Sequence, residues 1–284
     1  MIALILSAAL AATSCDAPSG AEAILDDAGS RVVFLGETHG FRESPEFTQS
    51  MICLALSRGE SVTLGLEQSA SEQPRLERYL ASDGSGAAVS ALVDGSEFWD
   101  GQDGRASQAM LALIEWAREK IQAGADLQLV ALDIDPEVDV DIADFTAFPD
   151  QRDRAMLRRI RQTHTGERYF VLVGNVHSRL TPLEYDGGRL ETIGSLGDGA
   201  DEFVSVRMMP GAGTAWNCSG SIDDYTCGLN ERAGIGIAGA PRLMDETDVS
   251  ELGLPEVFGD AYTHYVFLGD INASMPVVSA DPEN

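Results

Sequence analysis

Short apolar runs alternate with amphipathic stretches through residues 31–173, and few folds accommodate that alternation. Residues 31–35 (RVVFL), 61–66 (SVTLGL), 127–132 (LQLVAL) and 168–173 (RYFVLV) are rich in β-branched and aliphatic side chains, the pattern of strands buried on both faces. Between them the period changes. Ser44-Pro45 sets an N-cap serine before a proline at the first helical position, Phe47, Met51, Leu54 and Ala55 share one face, and Gly59 stops the helix. A more polar helical stretch spans 70–100, broken at Gly84 and Gly86. A longer helix spans 105–123, with Met110, Leu113, Ile114, Ala117 and Ile121 on one stripe. An acidic loop then leads to an arginine-rich helix over 150–165. Strands alternating with helices predict an α/β fold with a mainly parallel central sheet flanked by helices. After about residue 200, FVSVRMM, the Cys218/Cys227 segment and YTHYVFLG predict further strands, antiparallel ones among them, near the C-terminus.

The organisation expected is a signal peptide over 1–15, a tether over 16–30, a single α/β domain over 31–276 and a tail over 277–284. MIALILSAALAATSC is apolar and small-residue-rich, and shorter than the roughly 20 residues of a membrane span. Its end, Ala12-Thr13-Ser14-Cys15, resembles a bacterial lipobox, which makes Cys15 the expected lipidation site. The protein is therefore expected to be exported, periplasmic or membrane-anchored, touching a membrane only through that lipid. Cys218 and Cys227 bracket the polar loop SGSIDDYT, and in an oxidising compartment that spacing suits a local disulfide. Cys53, inside the apolar run Met51–Leu54, reads as a buried small hydrophobe. With 46 Asp and Glu against 19 Lys and Arg, the net charge of -27 repels phosphate backbones and argues against nucleic-acid binding.

The ends of the four runs carry the chemistry. The first is followed by Glu37 and His39 (RVVFLGETHGFRE), with Arg42 and Glu43 close behind. The second is followed by Glu67, the third by Asp133, and the fourth by Asn175 and His177. Ligands of open α/β sheets bind at the carboxyl ends of the strands, so these side chains are expected to share one site. Two imidazoles with several carboxylates can activate water, or can hold a divalent metal through His39, Glu67 and His177. No G-x-S-x-G elbow occurs, so water is the expected nucleophile. His164 and His264 read as structural. The arginines of 152–168 either balance an acidic protein or send one or two guanidiniums, Arg154 among the candidates, to an anionic group.

GETHGFRE resembles the first motif of the erythromycin-esterase-like proteins, and its short Glu-x-His spacing resembles the ChaN-like and Tiki/TraB-like relatives. Gly65-Leu66-Glu67, Asp133, RDRAM at 152–156 and Asn175-Val176-His177 resemble later motifs in the same order. The resemblance implies a polar cleft with Glu37, His39, Glu67 and His177 as the core site, and Arg42, Glu43, Asp133, Asn175 and Arg154 as supporting or substrate-binding residues. It implies a hydrolase in which His39 or His177 is the base, acting on an ester, lactone or amide of a small molecule or peptide. The alternative it implies is a lipoprotein that binds haem or a metal without catalysis.

Overall fold

The computed structural model describes residues 15–29, 31–135, 148–185, 188–220 and 226–279. The expected signal peptide (apart from Cys15), the acidic loop over 136–147 and the last residues of the expected tail lie outside them. Seven strands form one sheet: β1 (Val32–Glu37), β2 (Val62–Ser69), β3 (Leu127–Asp133), β4 (Arg168–Gly174), β7 (Phe203–Met209), β10 (Arg242–Leu243) and β11 (His264–Phe267). Their order is β10-β11-β7-β1-β4-β2-β3, and every pairing is parallel except β10 with β11. The expected mainly parallel sheet is therefore present. The late runs FVSVRMM and HYVF join it in parallel, while among the described strands antiparallel pairing occurs at β10, in the short β5 (Leu183–Tyr185)–β6 (Gly188–Leu190) pair, and in a separate hairpin of β8 (Gly213–Ser219) and β9 (Thr226–Arg232).

Burial follows position in the sheet. Central β1 is buried at every residue, which is why its sequence is continuously apolar; edge strand β3 alternates. Val33, Leu35, Leu64, Phe170 and Leu172 face one core with α1 (Glu22–Ala28), α2 (Glu43–Ser57), α3 (Gln73–Leu80), α4 (Gly86–Val93) and α5 (Gln108–Gln122). Val32, Phe34, Val171 and Val173 face the other, against α6 (Phe148–Thr163) and α7 (Ile193–Leu196). A third cluster packs α8 (Glu246–Glu251) and α9 (Leu254–Phe258) around Met209, Tyr265 and Phe267.

Four expectations are corrected. Residues 16–30 are no tether: α1 buries Ile24, Leu25 and Ala28 in the same core as α2. The start of the expected tail also packs there, through Val277 and Val278. Ser44 is not the N-cap of α2; the helix begins at Glu43, and the Ser44 hydroxyl is buried without a partner. Cys15 and Cys53 are joined to each other. A sulfur already bonded to sulfur has no valence left for a lipid thioether, so Cys15 is a bridge to α2 rather than an anchor, and Cys53 is more than a small hydrophobe. The second pair, Cys218–Cys227, forms as expected and closes the β8–β9 hairpin. Two disulfides fit an oxidising compartment. Among the described residues no helix is long and apolar enough to cross a membrane.

Candidate active site

The four strands whose ends carry polar residues are neighbours in the sheet, β1-β4-β2-β3, and all run the same way. Their carboxyl ends form one edge, where Glu37 sits opposite Gly174 in register. The β2–β3 register shifts between Leu66 and Ser69, so Glu67 leaves the ladder at the point where it turns into the cleft. Glu37, His39, Glu67, Asn175 and His177 line a single pocket of about 400 Å³.

Glu67 is the centre. Its Oε2 accepts the Gly174 backbone N–H at 2.6 Å and lies 3.7 Å from His39 Nε2. Its Oε1 accepts from Arg152 Nη2 and, at 3.3 Å, from Arg105 Nη1, and lies 3.9 Å from His177 Nε2. Each imidazole is held from behind by a carboxylate. His39 Nδ1 donates to Glu37 Oε1 at 2.9 Å, and His177 Nδ1 donates to Asp153 Oδ1 at 2.8 Å. Both rings thus turn Nε2 toward Glu67. Arg152 Nη1 stands 3.1 Å from His177 Nε2. A guanidinium can only donate, so that nitrogen is an acceptor with its lone pair facing the cleft.

The charges follow from these contacts. Burial alone would push Glu67 up, but His39, Arg152 and Arg105 hold it well below the ordinary carboxylate value of 4.5. Burial would lower His39, but the Glu67 carboxylate and the Glu37 hydrogen bond outweigh it and raise the imidazole above 6.5. Asp153 moves the other way from Glu67. Burial raises it despite the His177 hydrogen bond, and its Oδ2 has no partner.

Asp133 supports from below: Oδ1 accepts from Arg152 Nε at 2.7 Å, and Oδ2 accepts from Arg152 Nη2 and from Arg105 Nη1. Asn175 Nδ2 donates to the Glu37 carbonyl at 2.9 Å and to Thr38 Oγ1 at 3.1 Å, which fixes the loop carrying His39. Arg42 and Glu43 are not brought in. Arg42 pairs with Glu43 and Glu46, and Glu43 accepts the Asn272 backbone N–H at 3.1 Å, tying α2 to the C-terminal segment. Arg154 is also outside; it lines a groove with Leu157 and Arg158. Successive helical residues lie about 100° apart, so α6 turns Arg152 and Asp153 into the cleft and carries Arg154 past it.

Arg152, Asp153, Arg105 and Asp103 are thus site residues that sequence reasoning did not select. The first two fall inside RDRAM, where the signal was present; nothing in the sequence around Arg105 marks it. Gly174 was also missed. A Cβ there would stand 3.2 Å from His39 Nε2, 3.3 Å from Glu67 Oε2 and 3.5 Å from His177 Cδ2. The absent side chain leaves open the place where the three groups converge.

A metal does not fit this donor set. Both Glu67 oxygens are already acceptors, and the cation beside His177 Nε2 and Glu67 Oε1 is the Arg152 guanidinium. Among the described residues no group of three or more His, Cys, Asp or Glu side chains is disposed to hold an ion. The expected ligation by His39, Glu67 and His177 is replaced by hydrogen bonds.

No family model and no curated protein matches the chain. Solved structures do. A Bacillus cereus protein superposes with a TM-score of 0.68 at 13% identity, over 90% of this chain and 93% of its own. A succinoglycan biosynthesis protein gives 0.61 at 11% identity, over 89% and 91%. A point mutant of the erythromycin esterase EreC, in its open conformation, gives 0.59 at 14% identity, over 89% and 94%. The chain shares its fold with these three structures over about nine-tenths of its length, and at such identities the likeness is one of fold.

Proposed function

We propose that the protein is an exported hydrolase that activates water to open an ester, lactone or amide in a small molecule or peptide. The observation that carries this reading is the convergence of two carboxylate-backed imidazoles on Glu67 over the bare floor of Gly174. Separations of 3.7 and 3.9 Å from Glu67 to the two Nε2 atoms allow one water to hydrogen-bond across either pair. A water seated there takes over the His177 lone pair from Arg152, and His177 receives its proton. Asp153 holds the ring in the required tautomer and stabilises the imidazolium that forms. His39, favoured in its charged form, donates from Nε2 to the developing oxyanion or the leaving group. Glu67 stays ionised and keeps both rings in place, while Arg152 and Arg105 neutralise it and Asp133. The two disulfides support export. The haem-binding alternative is less well supported, because the nitrogen an iron would take, Nε2, faces Glu67 in both rings and at His177 also meets the Arg152 guanidinium.

The test is turnover of a panel of 4-nitrophenyl esters, a lactone and a short peptide by the wild type and by Gly174→Ala. The added methyl sits at ordinary to tight contact distance, so the variant folds but loses the water position. Wild-type turnover that falls at least tenfold in the variant supports the reading. No turnover of any substrate, with a Soret band appearing on haem titration, would favour the haem alternative.

A further inference from the structure

The β8–β9 hairpin belongs to neither helical layer nor to the central sheet, yet it closes one wall of the pocket with Asn217, Cys218 and Arg232. It is held firmly. The Trp216 backbone N–H donates to the Gly40 carbonyl at 2.7 Å, beside His39, and its indole Nε1 donates to the Gln102 carbonyl at 3.1 Å. The Asn230 amide donates to the Asn217 side chain at 2.9 Å, and the Cys218–Cys227 disulfide pins the strands together.

Arg232 stands exposed on this wall, and its guanidinium has no ion-pair or hydrogen-bond partner among the described residues. The other two pocket arginines differ. Arg152 and Arg105 are each bound to both Glu67 and Asp133. The pocket's other described carboxylates, Glu37 and Asp103, are engaged by His39 and by Arg105. A guanidinium over a pocket with no partner among the described residues, in a chain of net charge -27, is a local feature that attracts an anion the acidic chain otherwise repels.

We infer that Arg232 is a specificity-determining residue that receives an oxyanion, carboxylate or phosphate, carried by the ligand of this pocket. Calling that ligand the substrate rests on the hydrolase reading. The binding itself does not. The guanidinium fork engages two oxygens at once, and the braced hairpin fixes the backbone that carries it, so only the side chain is ordered on binding.

The test is calorimetric titration at low ionic strength with glutarate, inorganic phosphate and the neutral 1,5-pentanediol, using the wild type, Arg232→Gln and Arg232→Lys. Expected is saturable binding of glutarate or phosphate but not of the diol. That binding weakens at least tenfold in Arg232→Gln and is partly regained in Arg232→Lys. The tighter of the two anions identifies the group. No saturable anion binding by the wild type, or equal affinity in Arg232→Gln, overturns the inference. No bond is broken in this titration, so its failure leaves the hydrolase reading untouched, and a protein that binds anions through Arg232 but turns over no ester separates the two.

Discussion

His39 and His177 are each backed by a carboxylate, and the difference between their other partners underlies the roles proposed for them. His39 faces two carboxylates, Glu37 and Glu67, and its imidazolium is favoured. A histidine raised on folding contributes stability that is complete below its unfolded value of 6.5 and is lost as pH rises through the higher folded value. Wild-type stability should therefore decline across that window, and His39→Gln should flatten the decline in urea melts taken from pH 5.5 to 8.5. The alkaline limb of the rate profile should change with it, since the charged form is the proton donor. His177 depends instead on Asp153. Asp153→Asn leaves the shape intact but can donate to Nδ1, which places the proton on Nε2 and removes the lone pair. Ester turnover should fall by about 10²–10⁴-fold, the usual range for a positioned base, with the circular dichroism spectrum unchanged.

Among the elements, the β8–β9 hairpin with its disulfide shapes the rim of the cleft, while the other disulfide ties the N-terminal segment to α2. In the loop-entropy picture the Cys15–Cys53 bridge, spanning 38 residues, is worth about 4 kcal/mol, and Cys218–Cys227, spanning 9, about 2.6 kcal/mol. Cys53→Ser should accordingly lower the denaturation midpoint more than Cys218→Ser with Cys227→Ser. Alkylation of the unreduced protein should label no cysteine, and a lipid on Cys15 would instead leave Cys53 reactive. The Cys218–Cys227 pair was legible because the two residues are close in sequence across a turn. Cys15 with Cys53 was not, since the pairing depends on the segment before α1 lying against α2, where Ser50 donates to the Asp16 carbonyl. Similarly, the strand-end residues Glu37, Glu67, Asp133 and His177 were legible because a buried strand announces where it ends. Arg105, which comes from a loop before α5, has no such punctuation. Arg152 was hidden among its neighbours, because choosing it over Arg154 requires the rotation of α6 against the sheet. Gly40, with φ at +98°, is fixed by the hairpin: a Cβ there would strike the Trp216 carbonyl. Gly40→Ala should displace the hairpin and loosen any ligand held through Arg232.

For the whole molecule, topology is what turns scattered motifs into a site. The chain lays down β1, β2 and β3, then returns to insert β4 between β1 and β2, so four strands spread over some 140 residues end side by side at one edge. The late strands β7 and β11 extend the sheet on the far side of β1 and leave that edge open. An acidic chain sends Arg105, Arg152 and Arg232 to this cleft, so the anion capture inferred for Arg232 should weaken as salt rises. The central claim, that His177 removes a proton from water at this edge, is tested most directly by the kcat/KM of His177→Ala on the best 4-nitrophenyl ester at pH 7, with folding checked by thermal melt. The account predicts a fall of about 10²–10⁴-fold in a folded protein. A folded variant whose kcat/KM stays within twofold of the wild type would contradict it.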